Sequence, residues 1–188
     1  PMMPIMAARP FCRSMARMSA SNDQGIQYPV QKSESEWMTS LSGEQFEILR
    51  RKGTEYPGSG EYNKFSPAEG HFACAGCSQP LYSAQAKFDS GCGWPAFDKI
   101  VEGAVVTKTD TSIGMVRVEI MCSGCGGHLG HVFENERFTT TNERHCVNSV
   151  SMKYVAEPLP EGTVEKKVLP SKDPPKDSKS SILSDLLK

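Results

Sequence analysis

Apolar and polar positions follow two different rhythms between residues 34 and 156. Phe46 and Leu49 form an apolar i, i+3 pair, preceded by Ser42 with Gln45 three residues on, which is a capping-box signature. Glu47 and Arg51 add an i, i+4 charge pair, and Gly53 supplies a stop. One helix is therefore predicted near the start of this region. After Gly53 the rhythm shortens to period-two runs broken by glycine, proline and asparagine. GHFACA (70–75), PLYSAQAKF (80–88), VVTKTDT (105–111), GMVRVEIMC (114–122), GHVFE (130–134), RFTTT (137–141) and HCVNSVSMKYV (145–155) all read as strands. The clearest alternation runs from Met115 to Met121. The pattern predicts a mainly antiparallel β domain over residues 34–156 with a helix at its N-terminal end.

The flanks read differently. The leader, residues 1–33, is expected to be disordered; it carries Arg9, Arg13 and Arg17, with no acid before Asp23, as a mitochondrial transit peptide does. A start at Met15 or Met18 would instead leave a cytoplasmic form. From Glu157 to Lys188 five prolines, six lysines and six acids leave little apolar surface, so this tail is expected to be disordered. With 21 basic and 22 acidic residues overall, no general attraction to nucleic acid or membrane is expected. No apolar run approaches a membrane span.

The cysteines change the picture. Seven are present, and Cys74, Cys77, Cys122 and Cys125 form two CxxC pairs. Ala-Gly and Ser-Gly inserts let each pair turn tightly enough for both sulfurs to reach one tetrahedral ion. Residues 78–121 separate the pairs, more than the roughly 15–20 of a compact zinc ribbon, so the metal would clip distant segments together. Redox dithiols or buried thiols packing as small hydrophobes are the alternatives. One structural zinc accounts best for two pairs, and four thiolates leave it no open catalytic position. An odd total with metal-spaced pairs fits a reducing compartment better than a disulfide framework.

Three cysteines remain. Cys12 lies in the leader and has no expected role. Cys92, in FDSGCGWPAF (88–97), sits between two glycines beside Trp94, badly placed for a core and well placed to swing. Cys146 sits in RHCVNS (144–149), where a strand would put Arg144, Cys146 and Asn148 on one face. Arg144 there would stabilise a Cys146 thiolate, and Asn148 could orient a histidine or donate to a bound oxygen. GGHLGHVF (126–133) supplies His128 and His131, residues of the type that donates protons near neutral pH. Alternatively each histidine is simply held within the fold.

CxxC, SGCGWPAF, CSGCGGHLGHVF and RHCVNSVS, in that order, resemble the B-type methionine sulfoxide reductases over about residues 36–155. The resemblance implies two antiparallel sheets with a structural zinc on the four CxxC cysteines, and reduction of methionine-R-sulfoxide in proteins, a repair of oxidative damage. It implies that Cys146 is the nucleophile and Cys92 the resolving cysteine, through a Cys92–Cys146 disulfide reopened by thioredoxin. Trp94 and Phe133 resemble residues that receive the substrate, and His128, His131, Arg144 and Asn148 resemble the remaining active-site residues, with His131 as the acid. A monomer acting on oxidised protein substrates is expected. One departure is visible: where the family often carries an acid in a Pro-Asp-Gly turn after HVF, this chain has Glu134, Asn135 and Glu136.

A zinc-stabilised β module without chemistry would also explain both CxxC pairs. It would leave Cys92, the histidine pair and the Arg-Cys-Asn row without a task. A general thiol–disulfide oxidoreductase would use Cys92 and Cys146 but not Trp94 or the histidines.

Overall fold

The computed structural model describes residues 26–169. The predicted targeting segment up to Gly25 and the tail from Pro170 lie outside the described residues. Two helices precede the strands, where one was expected. Helix α1, Glu34–Ser40, is capped by Ser33, whose capping box with Glu36 is complete. It buries only Trp37, so no apolar period announces it in the sequence. Helix α2, Gly43–Arg51, carries the predicted Ser42–Gln45 capping box and buries Phe46, Ile48 and Leu49. Its left-handed C-cap falls on Lys52 (φ 59°), one residue before the glycine expected to stop it.

Eleven strands follow among the described residues: β1 His71–Cys74, β2 Pro80–Ser83, β3 Lys87–Phe88, β4 Ala96–Phe97, β5 Ile100–Val101, β6 Val105–Asp110, β7 Arg117–Cys122, β8 His128–Glu134, β9 Glu143–Val147, β10 Met152–Val155 and β11 Glu165–Lys166. They form two main antiparallel sheets, one of order β10-β1-β2 and one of order β3-β4-β9-β8-β7-β6, plus a β11-β5 ribbon. The fold is mainly β with more than one antiparallel sheet, as predicted.

Three strand assignments are revised. PLYSAQAKF is split into β2 and β3 by a 3-10 turn at Ala84–Ala86, capped by the Ser83 hydroxyl. HCVNSVSMKYV is split by a second such turn at Ser149–Ser151, so that β9 belongs to the large sheet and β10 to the small one. RFTTT forms no strand; it is the loop joining β8 to β9. Its backbone turns back through Asn142 N–H to the Thr139 carbonyl, at 3.1 Å.

The two sheets enclose one core. Phe72 from β1 meets Phe97 from β4 edge-on at 5.2 Å, and Phe97 stacks on Tyr82 from β2 at 4.1 Å. Ile120, Leu129, Val132 and Val147 from the large sheet complete it. Burying one such large apolar side chain is worth about 1.5–3 kcal/mol.

Packed chain also extends beyond residues 34–156 on both sides. Tyr28 is buried and Val30 N–H bonds to the Gly124 carbonyl at 2.8 Å. The tail expected from Glu157 is ordered through Leu169, because β11 pairs with β5 and Val168 and Leu169 pack against the core. Among the described residues no helix is long and apolar enough to cross a membrane.

Candidate active site

The four CxxC cysteines come together. Cys74 ends β1 and Cys122 ends β7, and each chain then turns back, Ser78 N–H bonding to the Cys74 carbonyl and Gly126 N–H to the Cys122 carbonyl. All four sulfurs lie within 4.8 Å of one another, with Cys74–Cys125 at 3.7 Å and Cys77–Cys122 at 3.5 Å. Zn–S bonds of about 2.3 Å in a tetrahedron require sulfurs about 3.8 Å apart, so the cluster fits a zinc ion. Gly124 of the second knuckle is needed sterically, since a Cβ there would lie 2.9 Å from Cys77 Sγ.

A second thiol pair lies on the large sheet. Cys146 is on β9, with Ala96 of β4 and His131 of β8 as its cross-strand partners. The loop before β4 brings Cys92 Sγ to 3.8 Å from Cys146 Sγ. That is van der Waals contact between two thiols, well short of the about 2.05 Å of a disulfide. The two share protons and titrate as a pair. Cys92 is lowered to about 5, chiefly by the hydrogen bond from Cys146, with burial opposing and Arg144 assisting. Cys146 is raised, first by that same bond and then by burial, while Arg144 pulls it down. The pair thus loses one proton readily and resists losing the second.

Arg144 is held by Glu136, its Nε and Nη2 donating to the two carboxylate oxygens at 2.5 and 2.7 Å. The guanidinium lies over the Phe133 ring, 4.5 Å from its centroid. Of the acids following HVF, Glu136 is the one that grips Arg144, and that ion pair holds its carboxyl below the usual range.

In a regular strand, residues three apart face opposite sides. A bulge in the β7–β8 pairing between Ile120 and Met121 removes that difference. Leu129 enters the core while His128 and His131 share the other face, their rings 5.6 Å apart. Each histidine meets a carboxylate that is itself tied to a cation. His128 Nδ1 lies 2.7 Å from Glu119 Oε1, and Lys52 Nζ donates to Glu119 Oε2 at 2.7 Å. Burial pushes the Glu119 carboxyl up, but these two partners outweigh it and hold it low. His131 Nε2 lies 2.7 Å from Asp110 Oδ2, which also accepts from Arg117. Burial lowers the His131 pKa, and Asp110 works against that shift.

Trp94 and Asn148 are fixed from the helix side. The loop after α2 passes behind SGCGWP, where Trp94 Nε1 donates to the Glu55 carbonyl at 3.2 Å and Gly58 N–H to the Gly93 carbonyl at 2.7 Å. Gly93 has φ 94°, and a Cβ there would meet Pro57 at 2.9 Å. Asn148 does not extend the Arg144–Cys146 row; β9 ends at Val147 and the chain leaves for the other sheet. The Asn148 amide donates to the Leu129 carbonyl and accepts from Glu55 N–H. The Glu55 carboxylate in turn accepts from Ser149 and Val150 N–H.

A model of the SelR domain matches residues 41–156. Over 129 residues the chain is 59% identical to peptide methionine sulfoxide reductase B2, chloroplastic, of Arabidopsis thaliana, covering 68% of this chain and 62% of that one. It is 60% identical over 127 residues to the chloroplastic B3 protein of rice, Oryza sativa subsp. japonica, covering 67% and 54%. It is also 60% identical over 125 residues to the B5 protein of rice, covering 66% and 90%. The chain belongs to the SelR family of B-type methionine sulfoxide reductases. It spans less than two thirds of the two chloroplastic relatives and most of the rice B5 protein.

For a SelR-family chain, the residues that the sequence motifs left out are the acids behind the named groups. Asp110, Glu119, Glu136 and Glu55 orient His131, His128, Arg144 and the Asn148 turn, respectively. Glu136 was in view as one of two acids after HVF, without its partner, and Glu119 as a charge inside the Met115–Met121 alternation; Asp110 and Glu55 carried no signal.

Proposed function

We propose that the protein reduces methionine-R-sulfoxide residues in oxidised proteins, with Cys146 as nucleophile. The observation that carries this reading is the Cys92–Cys146 contact at 3.8 Å, flanked by Arg144 and by His131 across the strand pair. Arg144 favours the Cys146 thiolate, and the proton shared with Cys92 passes to Cys92 as Cys146 attacks the sulfoxide sulfur. His131, oriented by Asp110, protonates the sulfoxide oxygen, because an unprotonated oxide leaves poorly. Oxygen transfers to Cys146 as a sulfenic acid and methionine departs, two electrons having moved from thiol to sulfoxide. The Cys92 thiol then attacks the Cys146 sulfur, forming the Cys92–Cys146 disulfide and releasing water. A dithiol of the thioredoxin type reduces that disulfide by exchange.

Trp94 and Phe133 supply apolar surface for the methyl group while the histidines and Arg144 read the oxygen, and this division gives selectivity for one epimer. Asn148 acts through the β9 terminus, by fixing Leu129 and Glu55 to it. Cys74, Cys77, Cys122 and Cys125 would hold zinc, which supplies structure and no open coordination position. The protein works as a monomer that repairs proteins during oxidative stress. Its arginine-bearing leader supports a mitochondrial destination, with a cytoplasmic form from a later start; the names of two relatives place those proteins in the chloroplast.

The test uses reduced, zinc-loaded protein with the separate R and S epimers of N-acetyl-methionine sulfoxide, and counts methionine formed per protein, first with dithiothreitol and then with thioredoxin. Turnover of the R epimer alone with both reductants is expected. If a folded sample with one zinc turns over neither epimer, the reading gives way to a zinc-stabilised binding module.

A further inference from the structure

Behind Cys146, on the face of β9 that points into the protein, lies a buried polar cluster that the proposed reaction does not use. The His145 and Glu143 side chains are 0% and 1% exposed, and His145 Nε2 lies 2.8 Å from Glu143 Oε2. His145 Nδ1 faces the Tyr82 hydroxyl at 3.3 Å, and Tyr82 is itself fully buried. A carboxylate in such a place is costly unless its oxygens are satisfied. The donors come from an unexpected part of the chain. Val168 N–H donates to Glu143 Oε2 and Leu169 N–H to Glu143 Oε1, each at 2.9 Å.

Residues 163–169 reach that carboxylate along a defined track. Glu102 N–H bonds to the Val164 carbonyl at 2.8 Å, β11 pairs with β5, and the Glu165 carboxylate accepts from Ser83 N–H at 3.2 Å while meeting Lys99 at 3.4 Å. Lys166 pairs with Glu102. Residues 163–169 lie beyond the SelR match, which ends at residue 156, while their partners lie within it.

We infer that residues 163–169 are a strap that completes the active site from behind: its terminal amides hold Glu143, and Glu143 and His145 fix the strand that carries Cys146. The reductase unit then runs to residue 169, and Glu143 is a positioning residue. This inference rests on the reading of Cys146 as nucleophile. β9 is short and its two core-facing polar side chains are the ones the strap secures, so releasing Glu143 frees the segment on which Cys146 and Arg144 must keep their places.

The experiment uses the full-length, zinc-loaded protein. Val168→Pro with Leu169→Pro removes both N–H donors and keeps the length of the chain. Expected are a single-turnover rate with the R epimer reduced about tenfold or more, unchanged sulfoxide affinity and zinc content, and faster hydrogen exchange at the amides of residues 144–147. Lys167→Ala, which touches neither donor, should change none of these. Should the proline variant not fold, Glu143→Gln, nearly isosteric, should show the same changes in direction. Unchanged turnover and unchanged β9 exchange in a folded variant would overturn the strap. If the unaltered protein shows no sulfoxide turnover, the reading of Cys146 fails on its own, and exchange at β9 still decides the strap.

Discussion

Arg144 points where it does because a carboxylate two residues beyond the end of β8 holds it with two hydrogen bonds. Glu136→Gln keeps the shape and removes the charge, so Arg144 should lose its fixed place over Phe133, and single-turnover rate should fall about tenfold with zinc content unchanged. Cys92 decides the titration of Cys146 in the same local way. The hydrogen bond that Cys146 donates to Cys92 is the largest cause raising the Cys146 pKa, so Cys92→Ser should let Cys146 ionise at lower pH, seen as thiolate absorbance against pH. That variant should also complete one turnover and then stop with thioredoxin, whereas Cys146→Ser should complete none. Asp110 raises the His131 pKa against the effect of burial. Asp110→Asn removes that support, His131 holds its proton only at lower pH, and the alkaline limb of the pH–rate profile should shift downward. The thiols, imidazoles and guanidinium of the candidate site were legible in the sequence because such a group announces its chemistry wherever it sits. Their carboxylate partners were not: Asp110 becomes a neighbour of His131 only once β6 to β8 lie side by side, and Glu136 stood out as an acid after HVF without any sign that Arg144 is its partner.

Strands show the same boundary between local and non-local information. The long alternating runs that became β6 and β7 were readable from period alone, whereas β4, β5 and β11, each two residues long, are created by their partners. RFTTT has strand-like composition yet becomes a loop, because β8 and β9 already pair from Gly130–Val147 to Glu134–Glu143 and the chain between must return. HCVNSVSMKYV reads as one strand because sequence does not mark a change of sheet; the side chain of Asn148 does that work, bonded to Leu129 and Glu55. The β8 bulge is the feature with the most consequence, since it puts both histidines on one face. Gly130 sits within it, and a Cβ there would lie 2.0 Å from the Cys146 carbonyl oxygen. A Cβ has no rotamer and the carbonyl is backbone, so the contact can be relieved only by moving a strand. Gly130→Ala should therefore cost about 1–3 kcal/mol, read as a lower urea midpoint, and should push β8 from β9 at Cys146.

At the scale of the whole molecule, two sheets share one core but are tied covalently only through loops, and the four-cysteine cluster joins β1 of the small sheet to β7 of the large one. The distance between the CxxC pairs in sequence already implied such a clip; which sheets it joins became readable only with the pairing order. Its energetic weight can be set against the rest of the fold. Domains of this size have net stabilities of about 5–15 kcal/mol, and structural zinc in small thiolate sites contributes about 10–16 kcal/mol of binding. The two magnitudes are comparable, so with zinc on these four thiolates the metal-free chain is expected to keep little net stability. Removing zinc with a chelator at neutral pH should abolish the cooperative thermal transition, and Cys74→Ser, which breaks the clip from the small-sheet side, should lower Tm severely. Cys146→Ser should leave Tm within a few degrees of the unaltered protein, because its thiol lies outside the four-cysteine cluster and a serine hydroxyl can still meet Cys92 and Arg144. A calorimetric scan of the three samples checks this directly. A cooperative transition surviving full zinc removal would mean that the aromatic core of Phe72, Tyr82 and Phe97 holds the sheets together without the metal.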